Sequence, residues 1–385
     1  MKILITSDWP LSVANGVVTS MKNLQEELTA KGHEVRLLSL SESSHSYTDG
    51  PIYYIRSMPI GIYPNVRMPL SYRHRLLKEL IQWKPDVIHS QCEFFTMQFA
   101  KRISRKTGAP IIHTYHTMYE RYVRYVLPGK RLGKKTVRAL TRKLLKKTSA
   151  VVAPTSKMKE ILSAYDMKAP IYVIPTGISL KQHKKEITEE ACLLKRKSLG
   201  IAPDQPVMIN LGRLGEEKNV DELLSFFVKA REAHPDLVFL IVGDGPARKD
   251  LEAHAEKLGI REHVIFTGMV DPSTVQEYYR LSDLFVCAST SEAQGLTYVE
   301  AAANKLPLLC RDDPCARDVI TPGENGYLYT NEEEFLRLLQ KMLADPEWRS
   351  RAGRKSAEIA DTFDKSVFGE RIEALYLEVL NQKRS

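Results

Sequence analysis

Short apolar runs alternate with helical or loop stretches along this chain, and the alternation occurs twice. The first series opens with Lys2–Ser7 and continues through Glu34–Ser39, Val87–Ser90, Pro110–His113 and Ala150–Ala153. It restarts at Pro206, with Val207–Leu211, Leu237–Val242, Val264–Thr267, Leu284–Ala288 and Leu308–Cys310. Strands that alternate with helices and carry no hairpin signals need crossover connections, which build parallel, doubly wound sheets. Two such series in 385 residues fit two α/β domains better than a single core. The expected division is a Rossmann-like domain over residues 1–178, a polar linker over 179–195 and a second Rossmann-like domain over 196–362. The amphipathic tail, 363–382, reads as a closing helix expected to pack back on the first domain. Two facing domains of this kind are expected to bind ligand in the cleft between them, at the carboxyl ends of their strands.

The net charge of +9 is unevenly held, with +16 on residues 1–178 and −7 on the remainder. Such a split points the two halves at different partners, and for the basic half both nucleic acid and an anionic membrane are candidates. Its densest stretch carries Lys134, Lys135, Arg138, Arg142, Lys143, Lys146 and Lys147, with no acid between Glu120 and Glu160. Val137, Leu140 and Leu144 recur there at helical spacing. The stretch therefore reads as a basic amphipathic helix, either lying on an anionic surface or packed on its domain with a solvated face. In the first case Tyr119, Tyr122, Val123, Tyr125, Val126 and Leu127, just ahead of it, would sit at headgroup level. No apolar run is long enough to span a bilayer, and the start, Met1–Thr6, reads as a strand rather than a leader. Five scattered cysteines read as reduced thiols. The expected location is cytoplasmic, peripherally on the inner face of the cell membrane.

The chemistry concentrates in Ser291–Ala301, where Glu292 and Glu300 lie eight apart with Gly295 between them, after a strand and at the opening of a helix. The amides of Gln294, Gly295, Leu296 and Thr297 would face an anion or a sugar, since a helix leaves its first N–H donors without backbone partners. One glutamate would address the sugar and the other a ribose diol; taken alone, the pair is equally a set of solvated acids. Gly212-Arg213 follows a strand and Lys218 lies five residues on, so two cations at a strand mouth can hold a diphosphate or simply be solvated. His116 ends the strand-like Ile111–Thr117 segment, whereas His113 is expected to be structural. Asn15-Gly16 is expected to form a turn between strand and helix, where a side chain would block close backbone approach. No Asp-any-Asp metal motif is evident, and without a dinucleotide fingerprint no nicotinamide cofactor is expected.

These segments occur in order and resemble the retaining glycosyltransferases of family 4, which have the GT-B fold. The resemblance is carried by Asn15-Gly16-Val17, Lys31–Val35, Pro85–His89, Ile174–Ile178, Gly212–Leu214 with Glu217–Asn219, Gly243–Pro246, and the Glu292/Glu300 pair, and covers nearly the whole chain. It implies that Arg213 and Lys218 stabilise the departing diphosphate. It also implies that Gly16 lets the main chain reach the donor phosphates, and that His116 hydrogen-bonds the donor sugar. Glu292, Glu300, Gly212 and Gln294–Thr297 would line the remainder of the donor site, and Gly268-Met269-Val270 would read the base. No metal is strictly required in such enzymes. His113–Glu120 and Glu292–Glu300 are most similar to bacterial 1,2-diacylglycerol 3-glucosyltransferases, although Gln294-Gly295-Leu296-Thr297 replaces the Gly-Phe-Gly common elsewhere in the family. The expectation is transfer of a hexose, best guessed as glucose from UDP-glucose, to a membrane lipid such as diacylglycerol. A saccharide or polyprenyl-linked acceptor of capsule or cell-wall synthesis is the alternative. A nucleotide-sugar epimerase would turn over donor without acceptor. A phosphorylase would need a longer chain, and a nucleic-acid-binding protein would have to overcome the acidic second half.

Overall fold

The computed structural model describes residues 1–13, 15–60, 66–116, 134–183 and 187–384. The apolar runs form strands buried on both faces, as parallel sheets flanked by helices require: Ile3, Leu4, Ile5, Val87, Ile88, Ile112 and Val151 are wholly or almost wholly inaccessible. The chain divides into two units, Met1–Ile178 with Lys365–Ser385, and Ser179–Asp364.

The first unit contains β1 (Lys2–Thr6), β2 (Glu34–Ser41), β3 (Tyr47–Asp49), β4 (Ile52–Pro59), β5 (Arg67–Pro69), β6 (Val87–Ser90), β7 (Ile111–Thr114), β8 (Ala150–Ala153) and β9 (Ile171–Val173). Its sheet runs β3-β4-β2-β1-β6-β7-β8-β9, with β5 on β4. The pairs from β4 through β9 are parallel, but β3 and β5 lie antiparallel on β4, which corrects the expectation of a sheet without hairpins. The overlooked signal is Asp49-Gly50, where Gly50 takes φ +52° and turns β3 into β4.

The second unit holds β10 (Val207–Leu211), β11 (Val238–Val242), β12 (Val264–Phe266), β13 (Leu284–Cys287), β14 (Leu308–Arg311) and β15 (Gly326–Tyr329), all parallel and ordered β12-β11-β10-β13-β14-β15. Residues 179–195 are not an extended linker. They include the helix Leu180–His183 and most of the helix Glu189–Ser198, and belong to this unit. The second of these helices is opened by Thr188, whose hydroxyl accepts from the Ala191 N–H at 3.2 Å, with Glu189 and Glu190 in the favourable first turn.

The last helix, Lys365–Arg384, is part of the first unit. Phe368, Ile372, Leu375, Tyr376 and Val379 share a core with Met21, Leu24 and Leu28 of the helix Gly16–Ala30 and with Ile3, Ile5 and Ile112 of the sheet.

Candidate functional site

In both sheets the chain winds outward in opposite directions from a central pair of strands. The loops leaving the carboxyl ends of that pair diverge, which is where such folds place ligands. In the second unit the pair is β10 and β13. Gly212 and Arg213 follow β10, and the 3-10 turn Glu216–Lys218 follows them. After β13 the chain passes Ser289–Gln294 and enters the helix Leu296–Ala303. The two loops are adjacent, since a Cβ built on Gly212 would stand 4.0 Å from the Thr297 methyl carbon.

Glu292 precedes the helix, where Lys218 Nζ donates to its Oε1 at 2.5 Å. Burial opposes the Lys218 charge, but Glu292 more than offsets this and holds the ammonium above its ordinary pKa. Arg213 donates to Glu217, and its side chain stays 46% exposed, so its guanidinium is accessible to a ligand. Ser291 Oγ donates to the Glu217 carbonyl at 3.0 Å and Cys315 Sγ donates to the Glu292 carbonyl at 3.1 Å, which pins the loop. Gly295 is the N-cap, at φ +72° and without a side-chain capping bond, and a Cβ there would fall 2.6 Å from the Tyr298 ring. Glycine is therefore required on both conformational and steric grounds. Gln294 is buried, and Leu296 and Thr297 open the helix.

Glu300 lies one turn inside that helix, and Tyr279 Oη donates to its Oε2 at 3.1 Å. Burial raises the Glu300 pKa, and the Tyr279 hydrogen bond opposes the rise. Gly243, which follows β11, lies so close to the loop after β10 that a Cβ on it would stand 2.0 Å from the Gly212 carbonyl oxygen, and its N–H donates to Gly268 O at 3.1 Å. Taken together, the loops after β10 and β13 present two cations, two carboxylates in different surroundings and the amide end of a helix, a set that matches a diphosphate joined to a sugar and a ribose.

In the first unit the central pair is β1 and β6. His116 follows β7, with Nε2 2.7 Å from Gln91 Oε1. Burial, reinforced by His113, lowers its pKa to about 3, so the imidazole is neutral near pH 7. His113 is fully buried and lies 3.1 Å from Glu93. His89 is held between Tyr376 Oη and Thr114 Oγ1, both at 2.7 Å, and burial lowers it to about 3 as well. Asp8 accepts from the N–H groups of Phe95 (3.1 Å) and Thr96 (2.6 Å), which makes it a cap for the helix Phe95–Thr107. Asn15-Gly16 lies between strand and helix as a helix start. Asn15 is an extended N-cap whose Oδ1 accepts from the Val18 N–H at 2.9 Å, and Gly16 is the first helical residue and exposed. Gln91 and Tyr279 were not singled out by the sequence; Gln91 stands two residues after the Pro85–His89 segment, and nothing in the chain marks Tyr279.

The basic stretch forms the helix Lys134–Leu145. Arg138, Arg142, Lys143, Lys146 and Lys147 are exposed, while the side chains of Lys134 and Lys135 and the aromatic segment Tyr119–Leu127 lie outside the described residues. The buried stripe is Val137, Thr141 and Leu145, not Val137, Leu140 and Leu144. Steps of four keep the stripe on the packed face, whereas Leu140 falls some 60° off Val137 on the other side and is 48% exposed among the cations. Among the described residues no cluster of three His, Cys, Asp or Glu has the placement to hold a metal, and no helix is long and apolar enough to cross a membrane.

Two family models match the chain: Glycosyltransferase Family 4 over residues 14–182, and Glycosyl transferases group 1 over residues 194–358. The chain is 33% identical to an alpha-monoglucosyldiacylglycerol synthase of Streptococcus pneumoniae, over 99% of this chain and 86% of that protein. It is 29% identical to the enzyme of the same name from Acholeplasma laidlawii, over 99% and 98%. Among solved structures it superposes with a TM-score of 0.77 on Anabaena Alr3699/HepE in complex with UDP-glucose, at 16% identity, covering 98% of this chain and all of the other.

Proposed function

Given that the chain belongs to glycosyltransferase family 4, with the GT-B fold, we propose that it transfers glucose from UDP-glucose to diacylglycerol with retention at the anomeric carbon. Glycosyl transfer itself follows from the family; the donor, the acceptor and the stereochemistry are our reading. The observation that carries it is the convergence of Arg213, Lys218, Glu292 and the amide end of the helix Leu296–Ala303 on one point of the second sheet. The departing nucleoside diphosphate gains negative charge in the transition state, and fixed cations near a helix N-terminus stabilise that charge without reorganising. Arg213 and Lys218 supply it from the protein itself.

The acceptor hydroxyl attacks from the leaving-group face, and its proton passes to the departing phosphate oxygen as the new glycosidic bond forms. The products are glucosyl-diacylglycerol and UDP. Glu292, ion-paired to Lys218, addresses the sugar, and Glu300 the ribose. His116, held neutral, is suited to hydrogen-bond a sugar hydroxyl without bringing a positive charge. The lipid acceptor is supported by the names of the two relatives and by the exposed cations of the helix Lys134–Leu145, each worth about 1 kcal/mol at an anionic surface.

The test is mass spectrometry of lipids after incubating the protein with UDP-glucose and anionic vesicles containing diacylglycerol, followed by proton NMR of the anomeric signal. An α-linked monohexosyl-diacylglycerol supports the whole reading. A β-linked product rejects retention. Bound UDP-glucose without a lipid product rejects the acceptor and turns attention to saccharide or polyprenyl-linked ones.

A further inference from the structure

The two glutamates have unlike surroundings. Glu292 shares its carboxylate with a lysine, but Glu300 is half-buried, and among the described residues its carboxylate meets a phenol rather than a cation. Among the described residues, the one hydrogen-bond partner of the Glu300 carboxylate is the Tyr279 hydroxyl, 3.1 Å from Oε2. Tyr279 is itself immobilised. It is fully buried on the helix Val275–Arg280, its ring 6.4 Å from Phe285 of β13 and 6.5 Å from His183, centroid to centroid. A phenol fixed in this way presents its proton in one direction. It occupies one oxygen of Glu300 and leaves Oε1 as the acceptor for a ligand. Glu300 is fixed from its other end too, because its carbonyl accepts from the Asn304 side chain at 2.9 Å.

We infer that Tyr279 is a positioning residue for the donor nucleotide: its hydroxyl orients the Glu300 carboxylate so that Oε1 accepts from the ribose diol. The inference rests on the donor reading above and adds a residue that touches no part of the donor. It makes the site selective for ribonucleotide donors over those lacking the diol, because a half-buried carboxylate oxygen held open for the diol gains nothing from a nucleotide without it.

The test is calorimetric binding of UDP and of 2′,3′-dideoxy-UDP to the full chain and to two variants, Tyr279→Phe and Glu300→Gln. Wild type is expected to prefer UDP. Tyr279→Phe keeps the ring packing and should weaken UDP about tenfold while leaving the dideoxy nucleotide within about twofold, as expected for one hydrogen bond to a charged group. Glu300→Gln should show the same selective loss, and the two changes combined should lose little more than either alone. A further readout separates positioning from packing. Without the phenol, the Glu300 carboxyl rises further, so UDP binding to Tyr279→Phe should be weaker at about pH 6 than at about pH 8.5, more so than in wild type. His183 and Cys287 are the other titratable groups that bear on Tyr279; burial lowers the first to about 4 and raises the second to about 11, so both stay neutral over that range. Equal loss for both nucleotides, or no loss for either, overturns the inference, as does a wild type that does not discriminate between them. No UDP binding by wild type at all would instead remove the donor reading itself.

Discussion

Lys218 and Glu292 form a close pair in which Glu292 offsets the burial of the Lys218 ammonium, so removing the lysine leaves a partly desolvated Glu292 without that cation. Lys218→Ala should lower kcat at least about a hundredfold, the loss typical for one group that stabilises transition-state charge, and should lower the melting temperature as well, because Glu292 loses that cation. Steady-state release of UDP, read beside a melting curve, checks this; turnover near wild type would remove Lys218 from the machinery. The two histidines of the first unit should separate in the opposite sense. His116→Ala is expected to lose activity with little change in stability, whereas His113→Ala leaves the buried Glu93 without that partner and should cost stability first. At this scale the sequence was legible where a residue sits in an ordered run of motifs, as Glu292, Glu300, Arg213 and Lys218 do. It was not legible for Tyr279, which reaches Glu300 from the separate helix Val275–Arg280, or for Gln91, whose contact with His116 depends on how β6 and β7 are paired in space.

Among the elements, the helix Leu296–Ala303 depends on a glycine that no other residue replaces without strain. Gly295→Ala meets both a left-handed φ and the Tyr298 ring, so it should cost about 2 kcal/mol or more of local stability and weaken UDP binding together with it. Hydrogen exchange of the peptide that spans this helix, with and without UDP, resolves the two effects. The helix Lys134–Leu145 makes a contrasting case, since its exposed cations contribute little to the fold. Charge reversal at Lys143, Lys146 and Lys147 together should leave the melting temperature nearly unchanged and reduce binding to anionic vesicles by a factor of about a hundred or more, at about 1 kcal/mol per charge removed. Unchanged co-sedimentation would remove this helix as a membrane contact. The parallel strands were legible because burial on both faces leaves unbroken apolar runs. The edge strands β3 and β5 were not, since their exposed, mixed residues give no such run and Asp49-Gly50 was the one local signal. The supposed linker was misread for a related reason: the helix Glu189–Ser198 buries none of its residues, so its composition is polar although its backbone is helical.

At the scale of the whole molecule, the first unit is discontinuous in sequence and completes its core only when the last helix, Lys365–Arg384, has been made. That helix also supplies Tyr376, whose hydroxyl meets the buried His89 at 2.7 Å. Burial first, and then the neighbouring His113 and His116, lower His89 from 6.5 to about 3, so it is folded as a neutral ring. Because its folded pKa lies below its unfolded value, the proton favours the unfolded chain. Stability from this group is complete above about pH 6.5 and declines as pH falls toward 3, by about 1.4 kcal/mol for each pH unit in that window. Ending the chain at Asp364 removes Phe368, Ile372, Leu375, Tyr376 and Val379 from the core and leaves His89 Nδ1 without its partner, a loss well beyond the stability of an ordinary domain. The truncated protein is expected to lose protection from hydrogen exchange throughout β1, β6 and β7 while β10–β13 stay protected and still respond to UDP. Tyr376→Phe is the milder form of the same test: it keeps the packing, should cost about 1 kcal/mol at pH 8, and should lower the protection of β6 while leaving the second unit unaffected. If the truncated chain kept β6 and β7 protected, the last helix would be an ornament on a unit that is complete without it.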